Sequence, residues 1–356
     1  MDKLKVGILG CTGLVGQQFI RMLEHHPWFE VAALFASSLS AGKRFSEAVD
    51  WALSNDIPEE ARDIMLTDID AALLKQMGIR ILFSALPSAV ARETEKSLAQ
   101  EGFYIFSNAA AFRMDRNIPI VIPEVNPDHF DLVKTQCWRE KGFIVTNSNC
   151  TTTGLVMGLK PLYGLGLKSV AVTTYQAVSG AGRRGVASLD ILGNVIPHIK
   201  DEEEKLEREA RKILGHLNDG SVDQAPLEIF ASCCRVPTRD GHLENILIEG
   251  EHDLDLDAVL HALRLFQGIP QEMRLPTAPE KPLILVDDPL RPQPRLDAEA
   301  GFPERARGMA VTIGRIRKKG KRVSFFLLVH NTIRGAAGTC ILNAEYAVMN
   351  NLISRV

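Results

Sequence analysis

Residues Lys5–Gly16 read KVGILGCTGLVG, and the next ten, QQFIRMLEHH, carry helical periodicity. Lys5–Leu9 is a short apolar run of strand character. Gly10, Gly13 and Gly16 then form a glycine-rich turn that opens a helix. Strand, glycine turn and helix in this order is the context of a dinucleotide-binding fingerprint. Glycine lets the backbone approach a pyrophosphate, and the unpaired N–H groups of the helix N-terminus stabilise its charge. The spacing is GxxGxxG rather than GxGxxG, so a tight turn that holds no ligand fits it as well.

Working outward, Glu30–Phe35 (EVAALF), Ile79–Ser84 (IRILFS), the YIFS of Tyr104–Ser107 and Phe143–Val145 (FIV) read as further strands. Helical stretches alternate with them, one expected to be capped by Ser88. Alternation of this kind predicts a doubly wound parallel sheet over residues 1–150, with ligands beyond the carboxyl ends of its strands. No acidic residue follows the second strand to hold a free ribose hydroxyl. Ser37, Ser38 and Ser40 stand there, with Lys43 and Arg44 behind them. Hydroxyls and cations suit a 2′-phosphate, which points to NADP over NAD. Arg113, in the SNAAAFR segment on the same side, is a candidate anion clamp or a solvated loop arginine.

The chain has 356 residues, 46% of them hydrophobic, and a net charge of −3. That length predicts two domains, each with its own core. Charges of both signs are interspersed, which leaves no footprint for nucleic acid or a membrane surface. No apolar run reaches the length of a membrane span. The N-terminus runs directly into a strand, unlike a signal peptide. Six cysteines without a CxxC pair make neither a disulfide scaffold nor a structural zinc site. A soluble cytoplasmic protein with reduced thiols and no bound metal is expected.

Gly142–Gly154, GFIVTNSNCTTTG, passes from strand to helix and sets Cys150 at or near a helix N-terminus. There the dipole favours a thiolate, and the N–H groups could hold an oxyanion. Cysteine also packs well at such a corner as a small apolar residue. From about Gly166 the pattern becomes β-rich, with Gln176 inside a strand, then SGAGRRG, then an amphipathic ASLDILGNVIPHIK and a charged helix beginning DEEEK. The run Glu202–Glu204 reads as a solvated face. Glu228–Pro237, His242–Gly250 and two late strands predict an α+β second domain on a mainly antiparallel sheet over residues 151–333. Residues 276–308, rich in proline and arginine, read as a long connection. A final helix within 334–356 is expected to join the first domain. His242 lies seven residues after Arg235 across the turn TRDG, so a hairpin would bring both to one pocket. A histidine there could exchange a proton with a thiol.

The motifs GCTGLVGQ, SSLSAGKR, SNAAAFRMD, IVTNSNCTTTGL, YQAVSGAG, DEEEK, RVPTRDGHLENI and HNTIRGAAG run in order from residue 7 to about 345. In these the chain resembles the aspartate-semialdehyde dehydrogenase family, in particular its archaeal and fungal branch. The resemblance implies Cys150 as acylated nucleophile, His242 as general acid/base and Gln176 as the residue that orients the substrate. It implies Arg235 on the substrate carboxylate, Glu202 on its amino group, and Arg113 with Lys205 on the phosphate leaving group. Gly10, Thr12, Gly13, Leu14, Val15, Ser37, Ser38, Ser179, Gly180 and Asn331 would contact NADP. A homodimer or homotetramer acting on a small-molecule substrate is implied. Two departures stand out. Leu39 occupies a place where the family often has an arginine for the 2′-phosphate, which leaves NAD use open. His330 replaces an aspartate common in bacterial relatives. An acyl-CoA reductase, such as a malonyl-CoA reductase, is the alternative on the same scaffold.

Overall fold

A computed structural model describes residues 3–37 and 40–353. The chain divides into two compact units, one made of residues 1–121, 128–147 and 336–356 and the other of residues 122–127 and 148–335.

In the first unit, β1 (Leu4–Leu9), β2 (Phe29–Phe35), β3 (Ile81–Ser84), β4 (Tyr104–Ser107) and β5 (Phe143–Thr146) form a parallel sheet in the order β2-β1-β3-β4-β5. Every pairing is parallel, as the alternating pattern predicts. The strands are almost wholly buried, which is why they read as unbroken apolar runs. Helix α1 (Leu14–Leu23) buries Phe19, Ile20 and Leu23, and α2 (Ser88–Gln100) buries Ala91, Leu98 and Ala99. Ser88 is not the cap of α2. Pro87 holds the N-cap position without a side-chain bond, and the Ser88 hydroxyl instead accepts from the Ala110 N–H at 3.2 Å.

In the second unit, α3 (Cys150–Tyr163) lies on a six-stranded sheet and α4 (Glu202–Ile213) lies at its edge. The strands are β6 (Leu167–Gln176), β9 (Glu228–Arg235), β10 (His242–Gly250), β11 (Leu283–Val286), β12 (Val311–Lys319) and β13 (Arg322–Val329), ordered β11-β12-β13-β10-β6-β9. The short ribbon of β7 (His216–Asn218) and β8 (Ser221–Asp223) stands apart, and α5 (Leu256–Leu265) packs against α3. The sheet is mixed: β6/β9 and β11/β12 are parallel and the other pairs antiparallel.

Three expectations change here. The stretch 276–308 contains β11, paired to β12, rather than being connection alone. ASLDILGNVIPHIK, amphipathic in sequence, buries no continuous apolar face: only Ser188–Ile191 is helical, and Leu189, Leu192 and Val195 are exposed. Most informative is the Arg235–His242 pair. β9 and β10 do not form a hairpin, because β6 lies between them. The turn Thr238–Gly241 crosses the end of β6, where Val178 and Ser179 donate N–H bonds to the Thr238 and Arg239 carbonyls.

The last helix, α6 (Gly338–Met349), belongs to the first unit. Asn343 Nδ2 donates to the Val121 carbonyl at 3.1 Å, and Glu345 meets His26 Nε2 at 2.9 Å with both side chains fully buried. A buried charge without such a partner costs several kcal/mol, which fixes where this helix docks.

Candidate active site

Asn149 is the N-cap of α3, its Oδ1 accepting from the N–H groups of Thr151 and Thr152 at 3.0 and 3.2 Å. Cys150 is the first helical residue. Past it the helix is apolar on nearly every side, with Leu155, Val156, Met157, Leu159 and Leu162 buried. Each such side chain contributes about 1.5–3 kcal/mol of burial, so the helix start is held from behind. Gly335 sits against it: a Cβ there would stand 2.7 Å from Cβ of Cys150. Two of the first N–H groups of the helix, those of Thr151 and Thr152, thus serve the Asn149 side chain.

The Cys150 sulfur lies 3.2 Å from Nε2 of His242. His242 opens β10, fully buried, and its Nδ1 accepts the main-chain N–H of Ala177 at 3.1 Å. Burial pushes the imidazole well below its ordinary value, reinforced by the charges of Arg235 and His330. Register places Gln176 opposite Arg235 and, through Leu243 opposite Tyr175, beside His242. Three side chains from three neighbouring strands thus stand in one row. Arg235 is buried and donates from Nη1 to the Ala177 carbonyl at 2.7 Å. Burial lowers its pKa, opposed by Cys150 and Glu202.

Glu202, expected on a solvated face, is buried, and its Oε1 accepts from Asn149 Nδ2 at 2.8 Å and Gln176 Nε2 at 3.2 Å. Its neighbours also work inward. Glu209 accepts the Asn149 N–H at 2.6 Å, while Glu203 and Glu207 accept the N–H groups of Cys233 and Ala231 on the free edge of β9. Spacing of four on a helix matches spacing of two on a strand, a pattern invisible when the run is read only as charge. Lys205 stands half-buried one turn after Asp201. Arg113 belongs to the first unit, buried, with Nη2 donating to the Asn108 carbonyl at 2.9 Å.

Three other thiols, those of Cys11, Cys233 and Cys340, are poor nucleophiles. Burial pushes Cys11 and Cys233 up to about 12 and Cys340 well above the ordinary value. Sequence reasoning missed Asn149, Glu209, Gly335 and the Ala177 main chain. Only the asparagine before a helix start had a readable signal.

In the first unit, the glycine turn forms a close cradle. Gly10 has φ +77°, and a Cβ on Gly16 would stand 2.3 Å from the Gly10 carbonyl. Gly13 caps α1 without any side-chain bond, so the first N–H groups of that helix face no side-chain acceptor of the cap. These residues, with Thr12, Leu14 and Val15, fit a dinucleotide pyrophosphate. Ser37 follows β2 exposed, while Arg44 is engaged by Asp63 at 2.7 Å. Ser38 and Leu39 lie outside the described residues. In the second unit, Asn331 Nδ2 donates to the Ser179 hydroxyl at 2.8 Å and its Oδ1 accepts the Gly241 N–H. Gly180 packs against the row: a Cβ on it would stand 2.7 Å from Arg235 Nη1 and 3.2 Å from His242 Cε1.

Comparison with known proteins places the chain in a family. The family model for the semialdehyde dehydrogenase NAD binding domain matches residues 5–133, and that for the semialdehyde dehydrogenase dimerisation domain matches residues 159–334. The chain is 47% identical to an aspartate-semialdehyde dehydrogenase of Archaeoglobus fulgidus over 99% of its length and 100% of the relative's. A crystal structure of aspartate-semialdehyde dehydrogenase with NADP from Candida albicans superposes with a TM-score of 0.87 at 37% identity, covering 99% of this chain and 100% of that one. A malonyl-CoA reductase (NADP) of Metallosphaera sedula is 38% identical over 99% of each chain. The fold and the matched residues define a semialdehyde dehydrogenase. The chain belongs to the aspartate-semialdehyde dehydrogenase family. Among the described residues no helix is long and apolar enough to cross a membrane.

Proposed function

We propose that this protein reduces 4-phospho-L-aspartate to L-aspartate 4-semialdehyde, in the supply of lysine, methionine and threonine, through an acyl group carried on Cys150. The observation that carries the reading is the Cys150–His242 contact at 3.2 Å beside Gln176 and Arg235 on one sheet row. The thiolate attacks the acyl carbon, the C–S bond forms, and phosphate leaves with its bonding electrons. Arg235 pairs with the substrate carboxylate and Glu202 with its amino group. Gln176, tied to Glu202 and Thr174, orients the carbonyl. Arg113 and Lys205 receive the phosphate, each charge-assisted contact being worth about 1.5–3 kcal/mol. The glycine turn would hold NADPH, Ser179, Gly180 and Asn331 would be further contacts, and the bound cofactor would supply the hydride that reduces the thioester. The covalent step divides one difficult reduction into two easier ones.

The dimerisation-domain match supports a homodimer or homotetramer. Six cysteines outside any disulfide support a reducing, cytoplasmic setting. An assay of semialdehyde oxidation tests the reading, run with phosphate or CoA as acyl acceptor and with NADP or NAD. Activity that depends on phosphate and prefers NADP is expected. A requirement for CoA would move the protein to the acyl-CoA reductases.

A further inference from the structure

Glu95 on α2 is an acid turned into the core of the first unit. Its side chain is fully buried beside Ser84 and Ser107, the last residues of β3 and β4. Oε1 accepts the Ser107 hydroxyl at 2.8 Å, and that hydroxyl accepts the Ala109 N–H at 3.1 Å. A hydroxyl that accepts from a main-chain amide has its own proton free for the carboxyl. Ala109 caps the short helix Ala110–Phe112, and Arg113 ends it. The Arg113 guanidinium folds back, Nη2 donating to the Asn108 carbonyl at 2.9 Å. Two consecutive residues, Ser107 and Asn108, therefore join the carboxyl to the guanidinium. Cys340 on α6 senses both groups, Glu95 pushing its buried thiol up and Arg113 drawing it down.

We propose that Glu95 makes anion binding at Arg113 depend on pH: the neutral acid leaves the guanidinium its full attraction for an anion, and the carboxylate opposes that anion. This rests on the reading of Arg113 as a phosphate contact given above. Glu95 touches no reacting atom and acts only through the Arg113 turn. A carboxylate inside the unit and an anion at Arg113 are like charges with little water between them, and interior charges are weakly screened by salt. One such charge changes affinity by about threefold to tenfold.

Burial raises Glu95 to about 7, opposed by the Ser84 and Ser107 hydroxyls, so the change of charge falls near neutrality. The groups around it do not share that behaviour. Cys340 is pushed well above the ordinary thiol range. Glu345, on the same helix, faces His26 at 2.9 Å. On α2, Arg92 pairs with Asp115 at 2.7 Å, and Glu93 and Lys96 point outward, exposed. Tyr104 stands at the far end of β4, and β5 carries no ionisable side chain. Anion affinity therefore falls as pH rises through about 7. By linkage, anion binding favours the protonated acid and takes up a proton in that range.

The test uses the full-length enzyme and sulfate, an anion that does not titrate near neutrality. Calorimetric titrations from about pH 6 to about pH 8.5, in two buffers of different ionisation heat, read affinity and proton uptake together. The wild-type Kd is expected to rise by about threefold to tenfold over that range, with proton uptake greatest near neutrality. Glu95→Gln, a neutral isostere, should keep the low-pH affinity throughout and take up no proton. A wild-type Kd that does not change with pH, or no proton uptake, would overturn the proposal without recourse to any variant. So would a Glu95→Gln profile that follows the wild type's. Arg113→Ala separates the underlying reading: unaltered sulfate binding in that variant removes Arg113 from the anion site, whereas a flat wild-type profile with Arg113 still required removes only the part played by Glu95.

Discussion

The carboxyl group of Glu244 lies against the α-carbon of Gly154, so close that a Cβ there would stand 2.6 Å from Oε1. Glu244 is fully buried, and both its oxygens are without a hydrogen-bond partner among the described residues. It occupies the row behind the catalytic one, opposite Thr174 and Leu327. Burial raises its pKa well above the ordinary carboxyl range. A carboxyl raised in the folded state is protonated there while the unfolded chain ionises. Folding stability therefore falls as pH rises above the unfolded value. In Glu244→Gln that loss should vanish, so the variant gains on the wild type between pH 5 and pH 8 in urea unfolding. A difference that does not change with pH would show that Glu244 ionises in place.

Glu95 on α2 gives the same sign with a bounded size. Burial raises it to about 7, opposed by Ser84 and by Ser107, whose hydroxyl donates to Oε1 at 2.8 Å. The wild type should lose up to about 3 kcal/mol between the ordinary glutamate value and pH 7, and Glu95→Gln should not. Denaturant midpoints of the two proteins across that range check this.

Asn149→Ala removes the cap of α3 and frees Glu202. Loss of the cap alone costs about 0.5–2 kcal/mol, seen as a lower Tm. Turnover should fall as well, because Gln176 loses the shared carboxylate geometry. An unchanged Tm would separate the cap from the stability of this helix.

Cys150→Ala should lower turnover by about 10⁴-fold or more while leaving NADP binding, read by cofactor fluorescence, near normal. Turnover within an order of magnitude of the wild type would remove the sulfur from the reaction.

Arg235→Ala should raise KM for the substrate by about 10- to 100-fold, the loss of one charge-assisted contact. Wild-type kinetics in this variant would place the substrate carboxylate elsewhere.

The glycine turn and the first strand were legible to within a residue, since Lys5–Leu9 extends only to Leu4–Leu9. Backbone conformation there depends on residues adjacent in sequence. The row His242, Gln176, Arg235 was half legible. Arg235 and His242 announced themselves by residue type and spacing, but the expected hairpin put them on adjacent strands. Nothing local reveals that β6, more than fifty residues earlier, inserts between them. In the run Glu202–Glu204 the solvated reading holds for the exposed Glu204 and fails at Glu202 and Glu203 for a related reason. Charge predicts a wet face until the partners are known, and these partners are an N-cap asparagine and an unpaired strand edge. The Ala177 contact could not be foreseen at all, because a main-chain donor leaves no mark in residue type.

That strand edge has a wider consequence. With carboxylates of α4 occupying the outward N–H groups of Ala231 and Cys233, and the Ile196 carbonyl that of Arg235, β9 is a poor template on which a strand of another molecule could build. Lateral growth of the sheet is hindered on this side of the unit.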